Sequence, residues 1–490
     1  MTDIQALAAP LRSATAQDWR RLVADALGGA ALDSLRSATR EGIAIEPLYP
    51  QAREARPLFA RPADGAWAIV QRLDHPDPGE ANAQARREVE RGATGLALVP
   101  AGAPVSEGFG LPLAEGALGR VLESIRLDAM HLRIEPHEDG PATALQLATV
   151  IEGHGLDPAG LDLAFGLDPI GVAARAGGFA GEWAGIEADH VDMAEQLAER
   201  GFRRSIFQAD GRVYAAAGAD AVEELAAVLA GAAAYLRLAE EYEAPLELAF
   251  QLIGVTLTAD ADQLVSIAKL RAARLLWARL QEVCGAPRTR LRLHAETARP
   301  MMMRADPHTN LLRTTVAAFA AGVGGADSLT VLPFTIALGL PDALARRLAR
   351  NTQLLLMEET HLDRVADPAA GAGAVEALTG ELSRRAWAAF QAIEREGGIV
   401  ESLKAGHLQA RVAAQREALV AAYAQGDAAA ADATGLVGVT HYIDQAPVPV
   451  KVAELPPRPA AAPRQAAVAF APLVPLDLEG RVSRVPEAAP

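Results

Sequence analysis

The stretch Ala261–Leu332 carries four pieces in close succession: ADQLVSIAKLRAARLLWARLQEV (261–283), TRLRLH (289–294), TNLLRTTVAAFAA (309–321) and SLTVL (328–332). The first and third have helix length and the periodicity of an amphipathic helix. The second and fourth are short apolar runs of strand length. Working outward, the same alternation extends from about residue 66 to 360. Its strands are expected at Trp67–Leu73, Thr94–Val99, Met130–Glu135, Leu161–Leu167, Arg203–Gln208, Leu246–Leu252, Thr289–His294 and Ser328–Leu332. Helices are expected at Ala81–Glu90, Ala219–Tyr242, Ala261–Val283, Thr309–Ala321 and Asp342–Glu359. Repeated strand-helix units mean a parallel sheet, because each parallel crossover needs a helix-length connection. The number and spacing of units favour a closed (β/α)8 TIM barrel over the structural alternative, an open doubly wound sheet.

The bulk composition sets limits around that fold. The 490 residues are 50% hydrophobic but only 4% aromatic, so Ala, Leu and Val must fill the core. A single cysteine, Cys284, excludes an intrachain disulfide and a Cys-rich zinc site, and fits a reducing, cytoplasmic setting. The net charge of -16 argues against a protein that neutralises nucleic-acid phosphates. The first fifteen residues lack the pattern of a secretory signal, and no apolar run is long enough for a transmembrane helix.

Either side of the barrel (61–380) the pattern changes. Residues 1–60 read as an N-terminal arm: Thr15 caps a helix bearing Trp19, Leu22, Val23 and Leu27, and Gly42–Pro50 is extended. Residues 381–445 read as outer helices. Residues 446–490, with Pro447, Pro449, Pro456, Pro457, Pro459, Pro463, Pro472 and Pro475, read as an extended tail, either disordered or lying on a partner.

Four segments stand out: TREGIAIEPLY (39–49), IAKLRAARLLW (267–277), LARNTQLLL (348–356), and Asp367-Pro368 with Gly371 and Gly373. Together they resemble the methylmalonyl-CoA mutase family. Their order matches as well, and the resemblance covers roughly residues 18–445. These are scaffold motifs: they imply the fold and say nothing of activity. What the resemblance implies is a coenzyme-B12-dependent rearrangement of an acyl-CoA, with the radical chemistry carried by adenosylcobalamin.

The residues that chemistry needs in the family are altered here. The family's D-x-H-x-x-G cobalamin motif is absent, and Asp306-Pro307-His308 is followed by Thr309-Asn310-Leu311. After Val450 only about forty proline-rich residues remain, too few for a cobalamin domain. Where catalytic chains carry RQYAGF, this chain reads Val70-Gln71-Arg72-Leu73-Asp74-His75, without the Tyr. Where they carry GYHMxEAGA, Val213 stands at the His and Tyr214 follows it. Thr330 and Leu332 replace a His and an Asn, and Glu296, in His294-Ala295-Glu296-Thr297, is an anion where a neutral or basic residue is usual. Arg175 is a poor match for the substrate Arg, and Gln208 and Asp210 end a strand as relic polar groups or a turn. His294 faces the mouth or satisfies a neighbouring carbonyl; His131, His137, His154 and His190 lack metal-ligand spacing.

The expectation is therefore a vestigial barrel mouth (Gln71, Gln208, Tyr214, His294, Glu296, Thr330) with no catalytic, cofactor or metal residue. The chain would be the small, non-catalytic subunit of a heterodimeric mutase. Its large partner would hold adenosylcobalamin and the acyl-CoA. Two alternatives stand beside it: the substrate-binding chain of a split mutase whose cobalamin domain is a separate polypeptide, and a stand-alone acyl-CoA binding or assembly protein.

Overall fold

Strands form where β-branched and apolar residues meet small ones. In the computed structural model, which describes residues 15–58, 66–241, 244–424, 435–446, 448–458 and 466–483, they build one eight-stranded parallel sheet. The strands are β1 (Ala68–Leu73), β2 (Gly95–Leu98), β3 (His131–Ile134), β4 (Asp162–Ala164), β5 (Phe207–Asp210), β6 (Ile253–Ala259), β7 (Leu293–Thr297) and β8 (Ser328–Thr330). Each pairs with its neighbour in sequence, β8 pairs with β1, and a parallel bridge from Leu167 to Phe207 joins the last two edges. The sheet is a (β/α)8 barrel, as expected.

Helices α1 (Pro78–Glu90), α2 (Gly140–Gly153), α3 (Trp183–Glu199), α4 (Ala221–Glu241), α5 (Gln263–Val283), α6 (Thr309–Gly324) and α7 (Ala343–Glu358) cover the outside. Asp side chains cap several of them; Asp77 accepts from the backbone N–H of Gly79 and Glu80, and Asp342 from that of Ala345. Small residues let this layer approach closely. A Cβ at Gly322 of α6 would lie 3.0 Å from the Trp67 ring, so the glycine makes the seat of that tryptophan. Three outer helices follow, α8 (Gly373–Arg395), α9 (Ile399–Ala405) and α10 (His407–Ala424).

The fifth and seventh strands start later than expected, at Phe207 rather than Arg203 and at Leu293 rather than Thr289, and three further features depart from the sequence reading. Leu246–Gln251, expected as the sixth strand, is a helical turn started by Pro245, with Glu247 in its first turn. The strand is the next run, Ile253–Ala259, where Val255, Thr256 and Thr258 supply the β-branched character. The helix expected at Ala219–Tyr242 is present as one helix, α4, but a short helix the sequence reading did not expect precedes it. Arg212–Ala217 ends at Gly218, whose φ of 109° closes the first turn, and α4 begins at Ala221. Tyr242 lies outside the described residues.

The third departure is the tail. Its described parts lie on the chain's own barrel. Val452 bridges Pro341, Arg458 N–H donates to the Gly108 carbonyl, and Val468–Ala469 pairs antiparallel with Gly178–Phe179. Leu473 N–H reaches Ala174, Leu476 N–H reaches Ala216, and Glu479 accepts from the backbone N–H of Arg304 and Ala305. These anchors follow β8, β2, β4, β5 and β7 in turn, so the described parts of the tail lie along the C-terminal rim. Prolines forbid sheet or long helix there but spare single hydrogen bonds to rim loops. Leu473, Leu476, Leu478 and Val482 bury their side chains, and Leu478–Val482 makes one helical turn capped by Asp477. Pro447, Pro459 and Pro463 lie outside the described residues, as do residues 1–14 and the arm-to-barrel junction at 59–65.

Candidate functional site

A barrel's functional end is the C-terminal mouth, where strand-end side chains converge. Strand alternation and register decide which residues reach it. Arg72, aligned with Ala97 and through it Arg133, points inward, so Gln71 points to the helical layer, where its amide nitrogen is buried without a partner. The expected mouth residue Gln71 is thus not at the mouth. His294, Glu296 and Thr330 share the inward face of adjacent strands, with Glu296 aligned to Thr330.

What fills the mouth is a layer of charge. Arg212 forms ion pairs with Asp210 and Glu135, and its Nη1 donates to Glu296 Oε2 at 3.1 Å. Arg72 Nη1 donates to the same oxygen at 3.5 Å, and its Nη2 to the Val105 carbonyl at 2.6 Å. Arg133 Nε donates to Glu135 at 3.0 Å, and Arg346, from α7, to Asp74 at 2.7 Å. All eight side chains are buried. Burial opposes ionisation of Glu135, but Arg133 and Arg212 hold it down at about 2. Burial, opposed by Arg212 and Arg72 but reinforced by Glu135 and Asp210, raises Glu296 above its ordinary value. Beside the layer Asp168 accepts from the Tyr235 hydroxyl and the Gly171 N–H; burial, reinforced by Asp210, pushes it up to about 7. Tyr214 is buried against the same two carboxylates, which raise it well above its ordinary value after burial itself.

The other mouth is open. A cavity of about 610 Å³ lies at the N-terminal ends of the strands, lined among others by His131, Arg204, Gln208, Arg292 and His294. Gln208 donates to the Thr256 hydroxyl at 2.9 Å. His294 Nδ1 lies 2.8 Å from Ser328 Oγ, and its Nε2 has no hydrogen-bond partner. Burial, then Arg133 and Arg212, keep His294 neutral, and burial, then Arg133 and Arg292, hold His131 at about 3. The predicted mouth residues are therefore split between the two ends of one barrel: Gln208 and His294 at the cavity, Glu296 and Tyr214 at the charged layer. Thr330 is fully buried, its hydroxyl unpaired.

Sequence reasoning missed the partners that make the layer: Arg72, Asp74, Arg133, Glu135, Arg212 and Arg346. A signal was present. Arg72/Asp74 and Arg133/Glu135 are opposite charges two residues apart at strand ends, which puts both on one face, and Asp210/Arg212 repeats the spacing where β5 gives way to a short helix.

No group of three or more His, Cys, Asp or Glu among the described residues could hold a metal ion. A cofactor the size of a corrin, set over the C-terminal mouth, would meet ion pairs and the tail on its rim loops. The residues present do not fit it.

The family model described as methylmalonyl-CoA mutase matches residues 47–469. A methylmalonyl-CoA mutase small subunit of Streptomyces virginiae is 39% identical over 83% of this chain and 68% of its own length. The small subunit of Propionibacterium freudenreichii subsp. shermanii is 34% identical over 82% of this chain and 65% of its own. A large subunit of Streptomyces virginiae is 28% identical over 82% and 59%. The chain thus spans about three fifths to two thirds of the length of these relatives.

Proposed function

The chain belongs to the methylmalonyl-CoA mutase family, a cobalamin-dependent family, and from that premise we propose that it is the small, non-catalytic subunit of a heterodimeric mutase. The assembly interconverts methylmalonyl-CoA and succinyl-CoA. Catalysis, acyl-CoA and adenosylcobalamin belong to the large subunit. One observation carries this reading: the C-terminal mouth is occupied by the chain's own buried ion pairs, leaving no place for a reacting thioester. The existence of separate small and large subunits in one organism supports the heterodimer. The division into arm (1–60), barrel (61–380), outer helices (381–445) and tail (446–490), and the relic status of the mouth residues, belong to the same reading. So does a cytoplasmic location; among the described residues no helix is long and apolar enough to cross a membrane.

The experiment is co-expression with the large mutase chain, size exclusion, and assay of each chain alone and together with adenosylcobalamin. A stable 1:1 complex, no turnover by this chain alone and activity dependent on the partner are expected. Turnover with only a small cobalamin protein added would overturn the reading in favour of a split mutase. Failure to bind any mutase chain would favour a stand-alone acyl-CoA protein.

A further inference from the structure

Two guanidiniums at the C-terminal mouth share a carboxylate that the chain supplies itself. Arg72 Nη1 and Arg212 Nη1 both donate to Glu296 Oε2, at 3.5 and 3.1 Å. Their remaining partners are fixed: Asp74 and the Val105 carbonyl for Arg72, Asp210 and Glu135 for Arg212. The layer sets four guanidiniums (Arg72, Arg133, Arg212, Arg346) against four carboxylates (Asp74, Glu135, Asp210, Glu296). Three of those carboxylates sit two residues from an arginine of the same strand end. Glu296 does not. It reaches them from β7, which stands between their two strand ends and is separated from each by one strand, so its carboxylate bridges the two guanidiniums as a bound anion would. On the neighbouring strand its aligned residue, Thr330, has a buried hydroxyl with no partner.

We infer that Glu296 is a built-in ligand: its side chain occupies a carboxylate-binding site formed by Arg72 and Arg212, and a small free carboxylate enters that site when the side chain is removed. Withdrawing the carboxylate leaves one unmatched buried positive charge and a space the size of the lost side chain. Formate or acetate supplies both the charge and the volume. The inference adds to the reading of a non-catalytic barrel the reason its mouth takes no substrate, and rests on that reading only there. Its test uses anion binding rather than turnover, so either can fail alone.

The full chain is prepared as wild type, Glu296→Ala, Glu296→Ser and Glu296→Gln. Thermal unfolding and calorimetric titration are run with sodium formate against sodium chloride at equal ionic strength. The Ala and Ser variants should bind one formate. At a formate concentration ten times the measured Kd their unfolding equilibrium constant should fall about elevenfold. Wild type, with the site filled, and Glu296→Gln, which keeps the volume, should not respond beyond chloride. If the Ala and Ser variants fold only in formate, the inference holds in its strongest form. It is overturned if they fold without responding to formate, if they fail to fold in both salts, or if wild type responds as they do.

Discussion

At the N-terminal mouth of the barrel, inward side chains stop short of one another and leave about 610 Å³ of space, with His294 Nε2 unpaired beside it. At the C-terminal mouth, one layer further along the same strands, arginines and carboxylates from β1, β3, β5 and β7 meet across the axis and the space is gone. The strands are shared, so backbone geometry does not make the difference. Side-chain length and charge do. Inward-facing strand residues at the lower end include small ones such as Ala68 and Gly254, with charge at the rim on Arg204 and Arg292, whereas long charged side chains cross the axis at the upper end. A buried ion pair adds little net stability over an apolar replacement, but breaking one is costly. The closed mouth is thus fixed more by the penalty for disrupting it than by any gain from forming it.

The comparison can be broken most directly at Arg212. Arg212→Met leaves Asp210, Glu135 and Glu296 buried with one cation fewer, and should cost about 3–5 kcal/mol in denaturant unfolding or prevent folding. A loss below about 1 kcal/mol would mean the layer is solvated and the mouth is not closed. On the rim, Leu473→Ala removes a buried anchor of the tail and should cost about 2–4 kcal/mol by the same measurement, with faster proteolysis of the tail. An unchanged midpoint would show that the tail contributes nothing to closure.

A finer test uses pH. Asp168 faces Asp210, Tyr235 and Tyr214, and its folded value of about 7 lies above the ordinary 3.8. The folded state therefore holds a proton the unfolded chain has released. Its stabilising share is complete below about pH 4 and is lost as pH rises toward 7. Asp168→Asn, which can still accept from Tyr235 and Gly171, should flatten that slope, so that the variant gains on wild type between pH 4 and 7. A constant difference across that window would show the carboxyl to be ionised. The smallest effect belongs at the open end. Arg204→Ala, exposed at the cavity rim, should change stability by less than about 0.5 kcal/mol.

Those contrasts also mark how far the sequence could be read. Helices with strong periodicity and Asp caps, α5 and α7 above all, were legible to within a residue or two. The sixth strand was not, because Leu246–Gln251 and Ile253–Ala259 are consecutive apolar runs and Pro245 alone tips the first into a helical turn. The changed mouth was legible at Glu296, whose charge is out of place for an anion site. Its partners were not sought, since an arginine at a strand end reads equally as a solvated residue until register shows which side it faces. Gln71 was misplaced for that reason: one residue along a strand is the opposite face. The tail's extended course is legible from its prolines, but its docking on the chain's own barrel is not, because single backbone hydrogen bonds to rim loops leave no periodic signal.

The circuit made by that tail orders events in time. Within 452–458 and 466–483 the tail bonds to backbone at Leu340, Gly108, Phe179, Ala174, Ala216 and Arg304, which are brought side by side only when the barrel has closed. As the chain leaves the ribosome, every docking point is synthesised before the segment that docks, and none is in place until β8 has met β1. The strap therefore cannot guide barrel formation; it registers that formation is complete. A barrel with a misplaced strand would present the tail with a broken track, leaving its leucines exposed for the cell's quality control to find.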